Sequence, residues 1–152
     1  MMLETVDAVR AVWPENLPLA VRLSAADWID NGLTVEDNIQ MSSWLKEHGV
    51  DIVDCSGGGA TPAARASVGD RTAQQVGLAE QIRKQTGIKT MAVGVITDAH
   101  QAGNIIASEQ ADIVLMARQS LRDPYWPIHA AEELGVATKA LMPIQNGTFV
   151  GT

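Results

Sequence analysis

Residues 89–116 read KTMAVGVITDAHQAGNIIASEQADIVLM, and the order of patterns in that stretch decides the fold. Lys89 to Val93 is a short, β-rich apolar run, and Gly94 ends it. A segment from about Asp98 to Ser108 then carries helical spacing before a second apolar run, Asp112 to Met116. Strand, helix and strand with no hairpin signal between them make a parallel crossover unit. The same order recurs upstream. Leu19 to Leu23 predicts a strand, and Thr34 is placed to cap a helix over Val35 to His48, with Asp37 three residues on and Gly49 closing it. Asp51 to Cys55 predicts a second strand, Thr61 to Arg71 an extended loop, and Ala73 to Gln85 a helix closed by Gly87. Leu3 to Val12 has Leu3, Val6, Val9 or Arg10, and Trp13 at helical spacing before Pro14, and Tyr125 to Leu134 predicts a last helix after Asp123-Pro124. The expectation is an α/β chain of four consecutive βα units over residues 1–137, with an irregular tail over 138–152 that contains Pro143 and Gly147. Periodicity fits either an open doubly wound sheet or part of a (β/α)8 barrel.

Composition narrows the chemistry. The chain has 152 residues, 46% of them hydrophobic, with a net charge of −7 and a pI near 4.8. That charge speaks against nucleic acid as a partner, so an anionic ligand must be held by local donors. Aromatic residues are 4%, which leaves Ala, Val, Leu, Ile and Met to build the core, a palette suited to parallel strands under helices. A single cysteine, Cys55, excludes an internal disulfide and a multi-thiolate zinc site, and His48, His100 and His129 have no helical i,i+4 partner among them. The N-terminus lacks a basic region followed by a long apolar run, and no stretch approaches the roughly 18 apolar residues of a membrane span. A cytoplasmic protein with no membrane partner and no metal is expected.

The informative residues sit at or just beyond the ends of the predicted strands, where both candidate architectures place ligands. Arg22 ends an apolar strand, and a guanidinium there needs a partner: either an anionic ligand or a structural carboxylate such as Asp54. Arg118 follows the fourth strand, after Ala117. Ser56-Gly57-Gly58-Gly59 offers backbone amides to a ligand, or is simply a flexible loop. Gly94 would let a phosphate approach the strand end, with the helix after Asp98 adding its dipole, or is only a turn glycine. Cys55 reads as a small buried hydrophobe, and Trp13, Trp28, Trp44 and Trp126 are too scattered for a stacking groove.

Four stretches in order carry a resemblance: Pro18 to Ala25, Asp51 to Gly58, Thr90 to Thr97, and Ala111 to Arg118 continuing to Leu121-Arg122-Asp123-Pro124. Together they resemble the C-terminal half of the Old Yellow Enzyme family of FMN-dependent ene-reductases, in its bacterial NADPH dehydrogenase and xenobiotic-reductase branch. The resemblance implies the last four units of a (β/α)8 TIM barrel with FMN at its C-terminal mouth and NADPH or NADH as reductant. It implies Arg22 beside the flavin pyrimidine, Ser56 and Gly57 as a flavin-adjacent loop, and Gly94, Ala117 and Arg118 around the phosphate. The family usually has glycine where Ala117 stands. The family's His/His or His/Asn substrate pair and proton-donor tyrosine belong to its first half, and Tyr125 falls in the last helix, so no catalytic residue is assigned. The function expected is the FMN-binding portion of an NAD(P)H-dependent oxidoreductase acting on an activated alkene, incomplete for catalysis alone. The alternative is a non-catalytic half-barrel that binds phosphate compounds weakly, or pairs with a complementary half or as a homo-oligomer.

Overall fold

The computed structural model describes residues 1–58, 62 and 74–137. The chain runs α1 (Met2–Arg10), β1 (Ala20–Ser24), α2 (Val35–Glu47), β2 (Ile52–Ser56), α3 (Gln75–Thr86), β3 (Lys89–Val93), α4 (Ala99–Ala107), β4 (Ile113–Leu115), α5 (Arg118–Arg122) and α6 (Trp126–Glu133). The four strands form one parallel sheet in the order β1-β2-β3-β4, so each βα unit lies beside the one before it. The fold is thus the expected α/β succession of four units. Gly59, the Thr61 to Arg71 loop, Ala73 and the tail over 138–152 fall outside the described residues, apart from Pro62.

Local chemistry sets the element ends. Thr34 Oγ1 accepts the Asp37 amide at 3.2 Å while Asp37 Oδ2 accepts the Thr34 amide at 2.9 Å, a complete capping box at the start of α2. Gly87 closes α3 at φ +63, a conformation that a Cβ disfavours. Helix α1 is shorter than its spacing suggested and ends at Arg10, because Pro14 disfavours helical backbone at the residue before it. Val6 is buried, but Val9 and Trp13 face outward. Arg10 takes the inner position instead, donating to the Gly49 carbonyl at 2.6 Å and to Asp51 Oδ2 at 3.0 Å, which anchors α1 to the start of β2. The five-residue helix α5 was not legible as an element; it lies where the sequence shows only an arginine following a strand.

Strand alternation splits the sheet into two unlike faces. Leu23, Val53, Cys55, Thr90 and Ala92 point to the helices and are almost wholly buried with Leu45, Ala79 and Ile82. The register Arg22↔Asp54↔Met91↔Ile113 defines the other face, which carries no covering layer among the described residues. Arg22 is 69% exposed there and Ile113 43%, so this face lies open among the described residues. Two ties hold the strand ends in line: the Ala25 amide donates to the Ser56 carbonyl and the Gly58 amide to the Ala26 carbonyl. At the far edge, Asp112 joins β4 to its neighbours. Its Oδ2 accepts the Thr90 amide at 2.9 Å and Arg83 Nε at 3.1 Å. Burial alone would raise the Asp112 carboxyl, but the hydrogen bonds from Arg83 and Thr90 outweigh it and hold it below the ordinary carboxylate range.

Candidate functional site

The C-terminal ends of all four strands open into one cleft of about 650 Å³. Arg22, Ser56, Gly57, Gly94, Ala117 and Arg118, scattered over nearly a hundred positions of sequence, all line it. A volume in this range suits a cofactor or small substrate. Arg122, one turn beyond Arg118 on α5, also lines it, as do Gly58, Gln75 at the start of α3, and Thr97. Neither Arg122 nor Gln75 was singled out from sequence. The signal for Arg122 was its i,i+4 spacing from Arg118, which is readable only once α5 is known to be helical.

Three guanidinium groups therefore face one space, and no aspartate or glutamate is among the described residues lining it. In a chain of net charge −7 this is the local concentration of donors that anion binding requires. Arg22 lines the cleft and also meets a carboxylate. Its Nε donates to Ser56 Oγ at 3.0 Å and lies 3.7 Å from Asp54 Oδ2, the structural carboxylate. Neither terminal nitrogen of Arg22 has a hydrogen-bond partner among the described residues, and the side chain lines the cleft. Ser56 in turn donates to the Leu23 carbonyl at 3.1 Å, which orients its lone pairs toward Arg22.

The glycines divide by physical cause. Gly94 adopts φ +123 and is followed by Val95 at φ +51, so the chain turns away from β3 through two consecutive positive-φ residues. Only the first of them is glycine, and a β-branched residue in that region is an outlier of the kind that clusters at ligand sites. Gly57 is required for space and not for freedom: a Cβ there would stand 2.6 Å from Cη2 of Trp28. The loop after β2 thus comes close to the Trp28 indole at this point. Ala117 has φ −108, where a methyl group carries no backbone cost, so alanine in place of glycine leaves this turn unstrained.

The N-terminus of α4 is capped by Asp98, whose carboxylate accepts the Gln101 amide at 2.8 Å. Cys55 faces the helices, away from the cleft, and burial beside the Asp54 charge pushes its thiol up to about 12, consistent with an inert packing role. Trp126 anchors α6 by donating Nε1 to the Thr97 carbonyl at 3.1 Å. Tyr125 is exposed and does not line the cleft.

Comparison with known proteins bears on what such a cleft holds. The chain is 46% identical over 144 residues to a protein named NADPH dehydrogenase from Geobacillus thermodenitrificans, covering 95% of this chain and 41% of that protein. Proteins of the same name from a further Geobacillus strain and from Bacillus licheniformis are 44% and 43% identical, again over 95% of this chain and 41% of theirs. The chain thus spans about two fifths of the length of these relatives. The sequence profile of the NADH:flavin oxidoreductase / NADH oxidase family matches residues 1–136. That family folds as a (β/α)8 barrel, uses FMN and takes its electrons from NAD(P)H. Four parallel strands in chain order, with their ligand-facing ends meeting at one cationic cleft, are half of such a barrel, and the chain belongs to the NADH:flavin oxidoreductase / NADH oxidase family.

Proposed function

We propose that this chain is the FMN-binding portion of an NAD(P)H-dependent oxidoreductase of the ene-reductase type, reducing an activated alkene. The observation that carries the proposal is the convergence of Arg22, Arg118 and Arg122 with Ser56, Gly57 and Gly94 on a cleft without a carboxylate in its described lining. FMN, when bound, supplies the hydride relay between the nicotinamide and the alkene.

The residues would divide the work by the charge they meet. Arg22, fixed through Nε, offers its terminal N–H groups to the electron-rich pyrimidine edge, where a cation favours the reduced form. Ser56 orients Arg22 and is a positioning residue. Arg118 and Arg122, together on α5, would hold the phosphate, with Gly94 and Ala117 giving the backbone close access. Trp28, packed on Gly57, fixes the loop that borders the ring system. None of these residues polarises an alkene carbonyl or donates the final proton, and those groups lie outside this chain in the proposed enzyme.

The test is direct. The purified chain is incubated with FMN and separated from free ligand, and its visible spectrum is recorded. Yellow protein that releases flavin on denaturation is expected. A colourless chain that takes up no added FMN would remove the assignment. Among the described residues one sheet face is open and the outer edges of β1 and β4 are unpaired, which favours a second reading, a module that pairs with a complementary half-barrel or with another copy. Sedimentation tests it: a folded chain that stays monomeric at high concentration would argue against self-pairing.

A further inference from the structure

Asp54 does not line the cationic cleft but lies behind it, against Arg22, which does. It sits beside Arg22 in the β1–β2 register, on the open face of the sheet. Its side chain is only 16% exposed, its Oδ2 lies 3.7 Å from Arg22 Nε, and its Oδ1 is buried without a hydrogen-bond partner among the described residues. A carboxylate with one oxygen starved of donors is poorly held as an anion. We propose that Asp54 sets the charge of this cleft: when an anion seats on the free edge of Arg22, Asp54 takes up one proton from solvent.

The charge balance supports this. With the cleft empty, the positive charge of Arg22 is shared by one neighbour, Asp54. An anionic ligand on the terminal nitrogens adds a second negative charge to the same guanidinium, and two anions around one cation in a half-buried site are resolved by protonating the weaker one. Asp54 is already disposed to do so, because burial pushes its carboxyl above the ordinary range against the pull of Arg22. Nothing else described on this face competes. From β1 the facing groups are Arg22 and, through its hydrogen bond to Ser24, Asp27. From β3 the registered neighbour is Met91, with Lys89 two residues back toward the other end of the sheet. The helices pack on the opposite face, where Cys55 stays neutral.

The inference rests on the flavin reading for its natural ligand but not for its test. The affinity of reduced FMN, whose pyrimidine edge carries the negative charge that Arg22 would meet, is measured anaerobically between pH 5 and 8 for the wild type and for Asp54→Asn. Below its free midpoint Asp54 is already protonated and affinity is greatest. As pH rises between the free and bound midpoints, the wild type loses up to about tenfold per pH unit relative to Asp54→Asn. Reading the ratio of the two proteins cancels the titration of the ligand's own phosphate. A ratio that stays constant with pH, with Asp54→Asn uniformly weaker, would show that Asp54 merely props Arg22 and would overturn the proposal. A second arm uses no flavin. The Asp54 carboxyl is followed by carbon-13 NMR, identified by its loss in Asp54→Asn, with and without sulfate, whose charge is constant over this range. Sulfate is expected to raise the Asp54 midpoint, and Arg22→Gln to abolish that rise. A midpoint indifferent to sulfate overturns the proposal, whereas failure of FMN uptake with an intact sulfate response would remove only the flavin assignment.

Discussion

Replacing Gly57 by alanine tests whether the loop after β2 is shaped by contact or by flexibility. The added methyl carbon would lie 2.6 Å from Trp28 Cη2 and 3.1 Å from Cζ2 and Cζ3, inside the distance at which carbon atoms coexist. The obstacle is a rigid bicyclic ring, which cannot bend away as a lysine tip would. Trp28 is itself confined, since it packs against the core and occupies φ +56. Relief must come from displacing the indole or the β2 loop, and overpacking of this kind costs about 1–3 kcal/mol. For a chain of this size that lowers the melting temperature by about 3–9 °C. The strain is specific to one pair, so a double-mutant cycle isolates it. Trp28→Leu removes all three clashing atoms, and Gly57→Ala should then cost under about 0.5 kcal/mol more in that background. Urea denaturation of the four proteins measures the cycle. Equal cost of Gly57→Ala with and without the indole would refute the contact argument and return the loop to simple flexibility. The same variant should also weaken FMN uptake, because a displaced loop narrows the cleft that Ser56 and Gly57 line.

Three further outcomes follow from the charges and caps. Arg118→Gln and Arg122→Gln should each weaken FMN by about tenfold to a hundredfold, the worth of a charge-assisted hydrogen bond, while leaving riboflavin affinity unchanged; equal losses for both ligands in equilibrium titrations would take these arginines off the phosphate. Asp112→Asn should cost about 1–3 kcal/mol at pH 7 by denaturant unfolding, because Arg83 and the Thr90 amide lose their anionic partner. Since the folded carboxyl titrates below its unfolded value, its stabilisation is complete above about pH 4 and disappears as pH falls through the lowered folded value, so the gap between wild type and Asp112→Asn must close in acid. Thr34→Ala should cost about 1 kcal/mol by opening the capping box of α2, and Thr34→Ser much less; identical losses in thermal melts would show that the hydroxyl is not what holds that helix end.

Much of the fold was readable because each element carries its own punctuation. Thr34 with Asp37 marks one helix start, Gly87 marks a helix end, and Lys89 to Val93 is bounded by glycines on both sides. Boundaries shifted by a residue or two, as at β1 and β2, where Ser24 and Ser56 extend strands whose apolar runs stop earlier. A serine contributes no apolar signal, yet its backbone pairs as well as any other. Helix α5 was missed because five residues span little more than one turn and leave no period to detect. The site was legible as a set of strand ends but not as a set of partners. That Arg22 would meet Ser56 and Asp54 together depends on the β1–β2 register, and that Gly57 faces Trp28 depends on a loop whose path no local pattern encodes. The openness of the Arg22 face could not be read from strand composition, because burial of a sheet face is decided by what packs on it and not by the strand.

The strictly sequential order of the sheet has a consequence for how the protein comes into being. Among the described residues each strand pairs only with its neighbours in the chain, so distance along the polypeptide and distance across the sheet grow together. Such a chain can assemble as it leaves the ribosome, each emerging βα unit adding to a finished edge without waiting for a distant segment. It is in effect a short one-dimensional array, in which a unit feels only its neighbours and the middle of the row is the most securely held. Amide exchange should accordingly be slowest in β2 and β3 and quicken toward β1 and β4. The cleft, which draws residues from every unit, becomes whole only when the last of them has joined.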